Sequence, residues 1–396
     1  MRRRIPLLVS LSLPAALGAP QRPAPRDSTA DSARARLAAL VTTARRYPVR
    51  ADATPQKIDV VTRADIERTA ATDVVDALKK VAAVDVVQYP TLLGGVGVRG
   101  FRPQTGFQQR TLVLFDGRPA GVYNLALVDL GDVERIEVLK GPSSALYGSG
   151  AMGGVVNIVT RRSAGRPQAS LTASAGSFRQ TELALRAGGT IGGRLDGDLS
   201  LRRFAQDADF RTGAGNLFRD ALGGDETRKI YLDGRRPTRT IADTLGDGQV
   251  RPSSTFSTLG GSARLGAALG DGFRLDVRGE GFRSDDALSP GDVYATRFVT
   301  GPNGVTRVNT QDARKDTERG SAEVALRGTR GRHAPLVRVF AAREREDNYS
   351  TPADTGFVNF AGRTTTTGAQ LQDVVQLGAH TLTLGADWNR ARSASQ

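Results

Sequence analysis

Two strings in the sequence have the residue types to cradle a phosphate. Gly95-Val96-Gly97-Val98-Arg99-Gly100 and Gly148-Ser149-Gly150-Ala151-Met152-Gly153 both match G-x-G-x-x-G. In a dinucleotide fold the third glycine opens a helix whose N-terminus holds the pyrophosphate. That chemistry needs a strand before the string and a helix after it. The first string runs instead into Phe101-Arg102-Pro103, and the second into the β-branched Val155-Val156-Asn157-Ile158-Val159. Both sets of glycines therefore read as turns and bulges. With no cysteine and two histidines in 396 residues, disulfides, thiolate zinc, iron–sulfur clusters and cysteine nucleophiles are excluded, and metal catalysis has few ligands to draw on. No Walker loop, G-x-S-x-G elbow or H-E-x-x-H is present. The sequence carries no enzyme chemistry, no resident cofactor and no metal site.

The other candidate chemistry is charge. A formal +14 and a pI near 10.7 would suit nucleic acid, so its distribution decides. Residues 1–26 carry five arginines and no acid, and beyond them both signs are interspersed without a basic stripe. That pattern speaks against nucleic acid as the partner. Arg2, Arg3 and Arg4 precede an apolar run from Ile5 to Leu17 that contains Pro6 and Pro14, with small Ala16 and Gly18 placed for cleavage. The order reads as a signal peptide over 1–18. Residues 19–56, with Pro20, Pro23 and Pro25 near their start, read as a flexible arm, too polar and Pro-rich there to pack.

Residues 57–163 have the pattern of a compact α/β domain. Ile58 to Val61 is a β-branched run, and Thr62 three residues before Asp65 predicts a capped helix through Ile66. Thr72 reads as a second N-cap, before Val74, Val75, Leu78 and Val81 on one helical face. Further strands are predicted at Val84 to Val87, Val96 to Phe101, Thr111 to Phe115, Val133 to Leu139 and Val155 to Val159. Asp116-Gly117 and Gly141-Pro142 mark turns between them.

After about residue 164 the period becomes two. Leu183, Leu185 and Ala187 alternate with Glu182, Ala184 and Arg186; Leu195, Leu199 and Leu201 alternate with Asp196, Asp198, Ser200 and Arg202. The pattern returns at Phe273, Leu275 and Val277, and at Leu382, Leu384, Ala386 and Trp388. Such strands have one apolar and one charged face. Long polar stretches at 205–255 and 284–320 exceed the usual connections of compact soluble domains. A soluble sandwich turns the apolar face to a core; an outer-membrane barrel turns it to lipid and the charged face to a wet lumen. The leader, the long loops and the charged faces favour the barrel, while 6% aromatic residues is low for one with aromatic girdles.

Taken in order, the blocks Val60-Val61-Thr62, Asp73-Val74-Val75-Asp76-Ala77-Leu78-Lys79, Val98-Arg99-Gly100-Phe101 and Leu112-Val113-Leu114-Phe115-Asp116-Gly117 form a set. It continues through Val133-Glu134-Arg135-Ile136-Glu137-Val138-Leu139-Lys140-Gly141-Pro142 and Gly153-Gly154-Val155-Val156-Asn157-Ile158. Together they resemble the plug domain of TonB-dependent outer-membrane receptors. The resemblance implies an N-terminal α/β plug followed by antiparallel transmembrane β-barrel strands, 22 in a complete barrel of that family. At about 20 residues per strand with its connection, residues 164–396 make roughly 11. The barrel is therefore expected to be incomplete, about half of 22 strands, and the chain a fragment.

The family likeness also implies function: uptake of a scarce nutrient, most often a ferric siderophore, with cobalamin as the alternative cargo. Energy comes from the inner-membrane protein TonB pulling a short box near 39–44, which Leu40, Val41, Thr42, Thr43 and Ala44 resemble. By block position, Tyr89, Gln104, Gln108 and Tyr123 match apical plug loops that meet the ligand, and Arg99, Arg135, Glu137 and Lys140 are expected to pair with charges of the barrel wall. Two other readings stand beside this one: a non-transporting surface-binding or signalling receptor, and a periplasmic β-sandwich fused to an α/β domain.

Overall fold

The computed structural model describes residues 9–14, 40–41, 45–69, 71–89, 92–103, 110–121, 124–209, 227–230, 239–242, 255–288, 296–301, 304–309, 314–349 and 358–395. Strand β1 is Val9–Pro14, and β2 (Leu40–Val41) pairs antiparallel with β3 (Val49–Arg50). The α/β domain begins at β4 (Lys57–Thr62) and continues through the hairpins β5 (Asp85–Tyr89) with β6 (Leu93–Gly97) and β7 (Thr111–Phe115) with β8 (Arg118–Pro119). It ends with β9 (Val133–Lys140) and β10 (Gly154–Thr160). Its sheet has the order β4-β9-β10-β7-β8, with β10 parallel to β7.

Local chemistry places the helices. Thr62 and Asp65 form a reciprocal capping box, Asp65 N–H donating to Thr62 Oγ1 at 3.2 Å and Thr62 N–H to Asp65 Oδ2 at 3.0 Å. Both orphan amides are thereby satisfied and the helix Arg63–Arg68 starts there. The next helix, Val74–Val81, is capped by Asp73 and not by Thr72 as the sequence suggested: the Asp76 amide donates to Asp73 Oδ1 at 2.9 Å. It buries Val74, Val75, Ala77 and Leu78 against Val61, Ile66, Ile136, Val138, Val156 and Ile158, which form the core of the domain.

Strand β6 ends at Gly97, short of the Phe101 predicted. Arg99 at φ 55° and Gly100 at φ 78° turn the chain out of the ladder. A Cβ on Gly97 would lie 2.0 Å from the Phe101 carbonyl oxygen, so glycine is what lets this turn fold back on the strand. The second glycine string ends at β10. The second contains one 3-10 turn, Ser149–Ala151, and neither leads into an α-helix.

The remaining strands build a wall: β11 (Gln168–Gly176), β12 (Gln180–Thr190), β13 (Leu195–Gln206), then the hairpin β14 (Thr227–Ile230) and β15 (Arg239–Ala242). They continue with β16 (Phe256–Gly270), β17 (Phe273–Leu288) and the hairpin β18 (Thr296–Gly301) and β19 (Gly304–Asn309). Last come β20 (Arg314–Gly328), β21 (His333–Tyr349), β22 (Val358–Leu377) and β23 (His380–Ser395). The antiparallel order is β11-β12-β13-β16-β17-β20-β21-β22-β23, with β1 added beside β11. Among the described residues the sheet does not close, and β1 and β23 are its edges. Short turns at 191–194, 271–272, 329–332 and 378–379 lie on one rim, and the wide connections at 207–255 and 289–313 leave from the other.

Nine wall strands from residue 168 onward, where roughly 11 were expected, follow from strand length. Those from β16 on run 15 to 20 residues, whereas about 9–11 suffice to cross a bilayer. Residues 284–288 and 314–320, taken from sequence as loop, belong to β17 and β20; Ser284 and Thr317 there are fully buried. The alternation is inverted relative to a soluble sheet. Asp196, Asp198, Arg264, Asp276, Arg278, Arg319 and Glu323 are buried on the inner face, while Leu183 (52% exposed), Leu371 (60%) and Trp388 (58%) stand on the outer one. In water that face would forgo on the order of 1–2 kcal/mol per large side chain; against lipid it costs nothing.

Candidate functional site at the plug and wall interface

The α/β domain sits against the inner face of the wall, the turn 130–132 packing on β12, β13 and β16 and the hairpin β7–β8 reaching the wall through Arg118. The turn Asp116-Gly117, at φ 47° and 85°, aims Arg118 into the wall. There Arg118 Nε donates to Glu323 Oε2 at 2.6 Å and Nη2 to Ser321 Oγ at 3.1 Å. Arg118 is 1% exposed and Glu323 6%. Glu323 also takes Arg338 at 3.2 Å. Arg338 in turn donates to the Asp116 carbonyl at 2.9 Å and to Gln370 Oε1 at 3.0 Å. The Arg118 guanidinium lies 5.2 Å from the Phe340 ring centroid and 5.9 Å from that of Phe115. A fork that satisfies several acceptors and stacks on rings is a task for arginine, not lysine.

Elsewhere the domain presents acids to wall arginines. Asp132 pairs with Arg278, Asp129 with Arg202 at 3.8 Å and Glu67 with Arg186 at 3.6 Å. The first of these joins Glu280, which binds Arg319 at 2.8 Å and Ser321 at 2.9 Å. At the far side of the wall Arg46 binds Asp387 at 2.6 Å and lies 4.7 Å over the Tyr147 ring, while Gln372 donates to the Arg46 carbonyl at 2.9 Å. A ring of separate polar contacts thus spans β12 to β23. The pairs of Asp129, Glu67 and Arg46 keep access to water, whereas those of Arg118 and Asp132 are buried, so the contacts differ in what their release costs.

Asp116 holds the hairpin to β10. Its carboxylate accepts the Thr160 amide at 3.0 Å and the Thr160 hydroxyl at 2.6 Å. Burial pushes the carboxyl up, but Arg162, Arg278 and the two Thr160 bonds outweigh it and hold it below the ordinary carboxylate range. Its contribution is therefore present above about pH 4, where an unfolded aspartate ionises, and is lost as pH falls through the lower folded value. Asp116→Ala removes both bonds and puts a β-carbon without a polar group at positive φ; the expected loss is about 3 kcal/mol. Denaturation midpoints of the detergent-solubilised chain test this. An Ala variant within 1 kcal/mol of the parent would rule out the assignment.

The positions singled out in the sequence fall in three groups. Of the box-like segment, Leu40 and Val41 form β2 and Val41 is fully buried; Thr42, Thr43 and Ala44 lie outside the described residues. Of the apical set, Tyr89 ends β5, and Gln104, Gln108 and Tyr123 lie outside the described residues. The charges expected to meet the wall take partners inside the domain. Arg135 pairs with Glu137 at 2.8 Å and Lys140 with Asp59, while the exposed Arg99 packs over Gly141, 2.9 Å from where a β-carbon would sit. The reason is local: Arg135 and Glu137 share a face of β9 two residues apart, and Asp59 sits diagonally across the β4–β9 ladder from Lys140. The wall contacts come instead from Glu67, Arg118, Asp129 and Asp132, which sequence reasoning passed over. Arg118 follows a turn and looks solvated, and Asp129 and Asp132 look like turn acids. The available signal was the presence of arginines such as Arg186, Arg202 and Arg278 at inner positions of the wall strands, facing the domain.

A compact α/β domain plugging a wall with charged inner and apolar outer faces defines a class, the plugged membrane β-barrel. Residues 50–155 match the TonB-dependent Receptor Plug Domain. The vitamin B12 transporter BtuB of Vibrio cholerae is 34% identical over 164 residues, 39% of this chain and 25% of that protein. The siderophore receptor PirA from Pseudomonas aeruginosa aligns with a TM-score of 0.55 at 18% identity, covering 85% of this chain and 48% of that one. A mutant of the ferric enterobactin receptor PfeA from the same organism gives 0.59 at 18% identity, covering 89% and 50%. The chain matches a quarter of the length of its curated relative and about half that of these solved structures. Its residues 50–155 are a plug domain of the TonB-dependent receptor kind, and the wall that follows has the fold of the solved receptors.

Proposed function

We propose that the chain supplies the plug and part of the wall of an outer-membrane receptor that takes up a scarce nutrient, a ferric siderophore first, using energy delivered by TonB. The observation that carries this reading is the ring of discrete contacts between domain and wall. It blocks the lumen at rest and can yield one contact at a time to a pull on the N-terminal segment. Residues 40–44 are the proposed TonB box: an extended stretch such as Leu40–Val41 can exchange its partner Val49–Arg50 for a TonB strand by main-chain bonding. Residues 1–18, which include β1, are the proposed export signal of a Gram-negative outer-membrane protein, so that its removal makes β11 an edge of the wall; Tyr89, Gln104, Gln108 and Tyr123 are the proposed apical ligand contacts. Cobalamin is the second cargo, supported by the likeness to the Vibrio transporter.

The experiment is growth of a receptor-deficient strain on a ferric siderophore panel and on cobalamin, with and without residues 39–44. Growth on one ferric chelate that disappears with the segment is the expected result. Uptake that survives the deletion would refute the box. Ligand binding without any uptake would favour a surface-binding or signalling receptor.

A further inference from the structure

A second feature of the interface is a cavity of about 320 Å³ between domain and wall, on the side of the wide connections. Its walls include Asp73 and Asp129 from the domain and Arg202, Phe204, Phe256 and Phe282 from β13, β16 and β17. Phe204 and Phe256 are tilted neighbours with centroids 5.5 Å apart. At the lower end of ligand-pocket sizes, the space admits one arm of a bulky ligand and not a whole metal chelate.

The charges around it do not balance. Arg202 is engaged by Glu182 at 2.8 Å, with Asp129 at 3.8 Å, and gives a further bond to the Thr72 carbonyl at 3.3 Å. Two acids therefore already share one guanidinium. Asp73 accepts from the Asp76 amide at 2.9 Å, from Gln88 Nε2 at 3.3 Å and from the Thr72 hydroxyl at 3.4 Å; it is a third acid in the field of Arg202 and makes no ion pair among the described residues. Burial pushes its carboxyl up. A half-buried site with surplus negative charge and three phenyl rings lowers the free energy of a cation with an apolar stem and raises that of an anion.

We propose that this cavity is a subsite for a cationic arm of the ligand, an alkylammonium or guanidinium on an apolar stem, held by Asp73 and Asp129 among Phe204, Phe256 and Phe282. The assignment rests on the uptake reading only in regarding the occupant as part of the cargo. Equilibrium dialysis of the full chain in detergent micelles tests it with two probes of one shape, phenethylammonium and phenylacetate. The amine is expected to bind at least about tenfold more tightly. Asp73→Asn, which keeps the capping oxygen, and Phe256→Leu are each expected to weaken it about tenfold with an unchanged circular dichroism spectrum. Phe282→Leu, on a different strand, replaces Phe256→Leu if that chain does not fold. Equal affinity for the two probes, or amine binding unaffected by Asp73→Asn and by the phenylalanine variant, overturns the proposal. Dialysis needs neither TonB nor a sealed membrane, so failure of uptake in cells would leave the result standing.

Discussion

Glu323→Ala is expected to destabilise the seated plug by about 3–5 kcal/mol, more than removal of either arginine that it binds. Glu323 is the single carboxylate between Arg118 at 2.6 Å and Arg338 at 3.2 Å, all three nearly without access to water. Deleting it leaves two guanidiniums facing one another with no direct ion-pair partner, in the weaker fields of Glu280 and Asp116. Their remaining acceptors are neutral: the Ser321 hydroxyl and Pro119 carbonyl for Arg118, and the Asp116 carbonyl and Gln370 for Arg338. Arg118→Leu, by contrast, leaves Glu323 paired with Arg338 and keeps an apolar stem beside Phe340, so a loss of about 1–3 kcal/mol is expected. Denaturation midpoints in micelles and amide exchange of 111–119 measure the two effects. The ordering of the variants is the sensitive part: an Arg118→Leu loss as large as that of Glu323→Ala would mean that the ion pair acts through Arg118 packing alone.

The partners of that pair show why only part of the interface was legible in the sequence. Arg118 and Glu323 lie 205 positions apart, and no periodicity in either strand links them. The inward sign of each wall strand could be read, because a period of two puts Asp196, Asp198 and Ser200 on one face and Leu195, Leu199 and Leu201 on the other. Which plug residue meets which strand depends on the register of many successive ladders, each free to shift by residues without changing its pattern. Where a partner is local, the ladder supplies it: Glu137 and Asp59 stand within one strand spacing of Arg135 and Lys140 and pair with them. The helix of 74–81 was legible to within a residue, its cap moving from Thr72 to Asp73 because the carboxylate reaches the Asp76 amide. Strand length was not legible, since polar inner residues such as Ser284 and Thr317 look like loop until a plug covers them.

The second large effect is expected at Arg264, on the wall near the rim of short turns. Its three nitrogens reach Asp198 Oδ2 at 2.8 Å, Asp276 Oδ1 at 2.8 Å and Asp196 Oδ1 at 2.5 Å, and the side chain is 2% exposed. Arg264→Leu strips the central cation from three buried carboxylates. Arg274 still serves Asp196 and Asp276, and Arg327 Asp276, but Asp198 keeps only the Ser163 amide, which donates to its two oxygens at 3.0 and 3.2 Å. A loss of about 3–5 kcal/mol is expected. Ser163 lies on the segment that leads from the plug into β11, so the damage should spread: amide exchange of 161–165 is expected to rise along with that of β13 and β16. Arg264→Lys should recover only part of the loss, because one ammonium cannot fork to three acceptors. The double variant Arg264→Leu with Asp198→Leu removes the stranded carboxylate as well and should be more stable than the sum of the two single losses. Strict additivity would show that Arg264 and Asp198 do not act as a unit, and that the link from wall to plug runs through other residues.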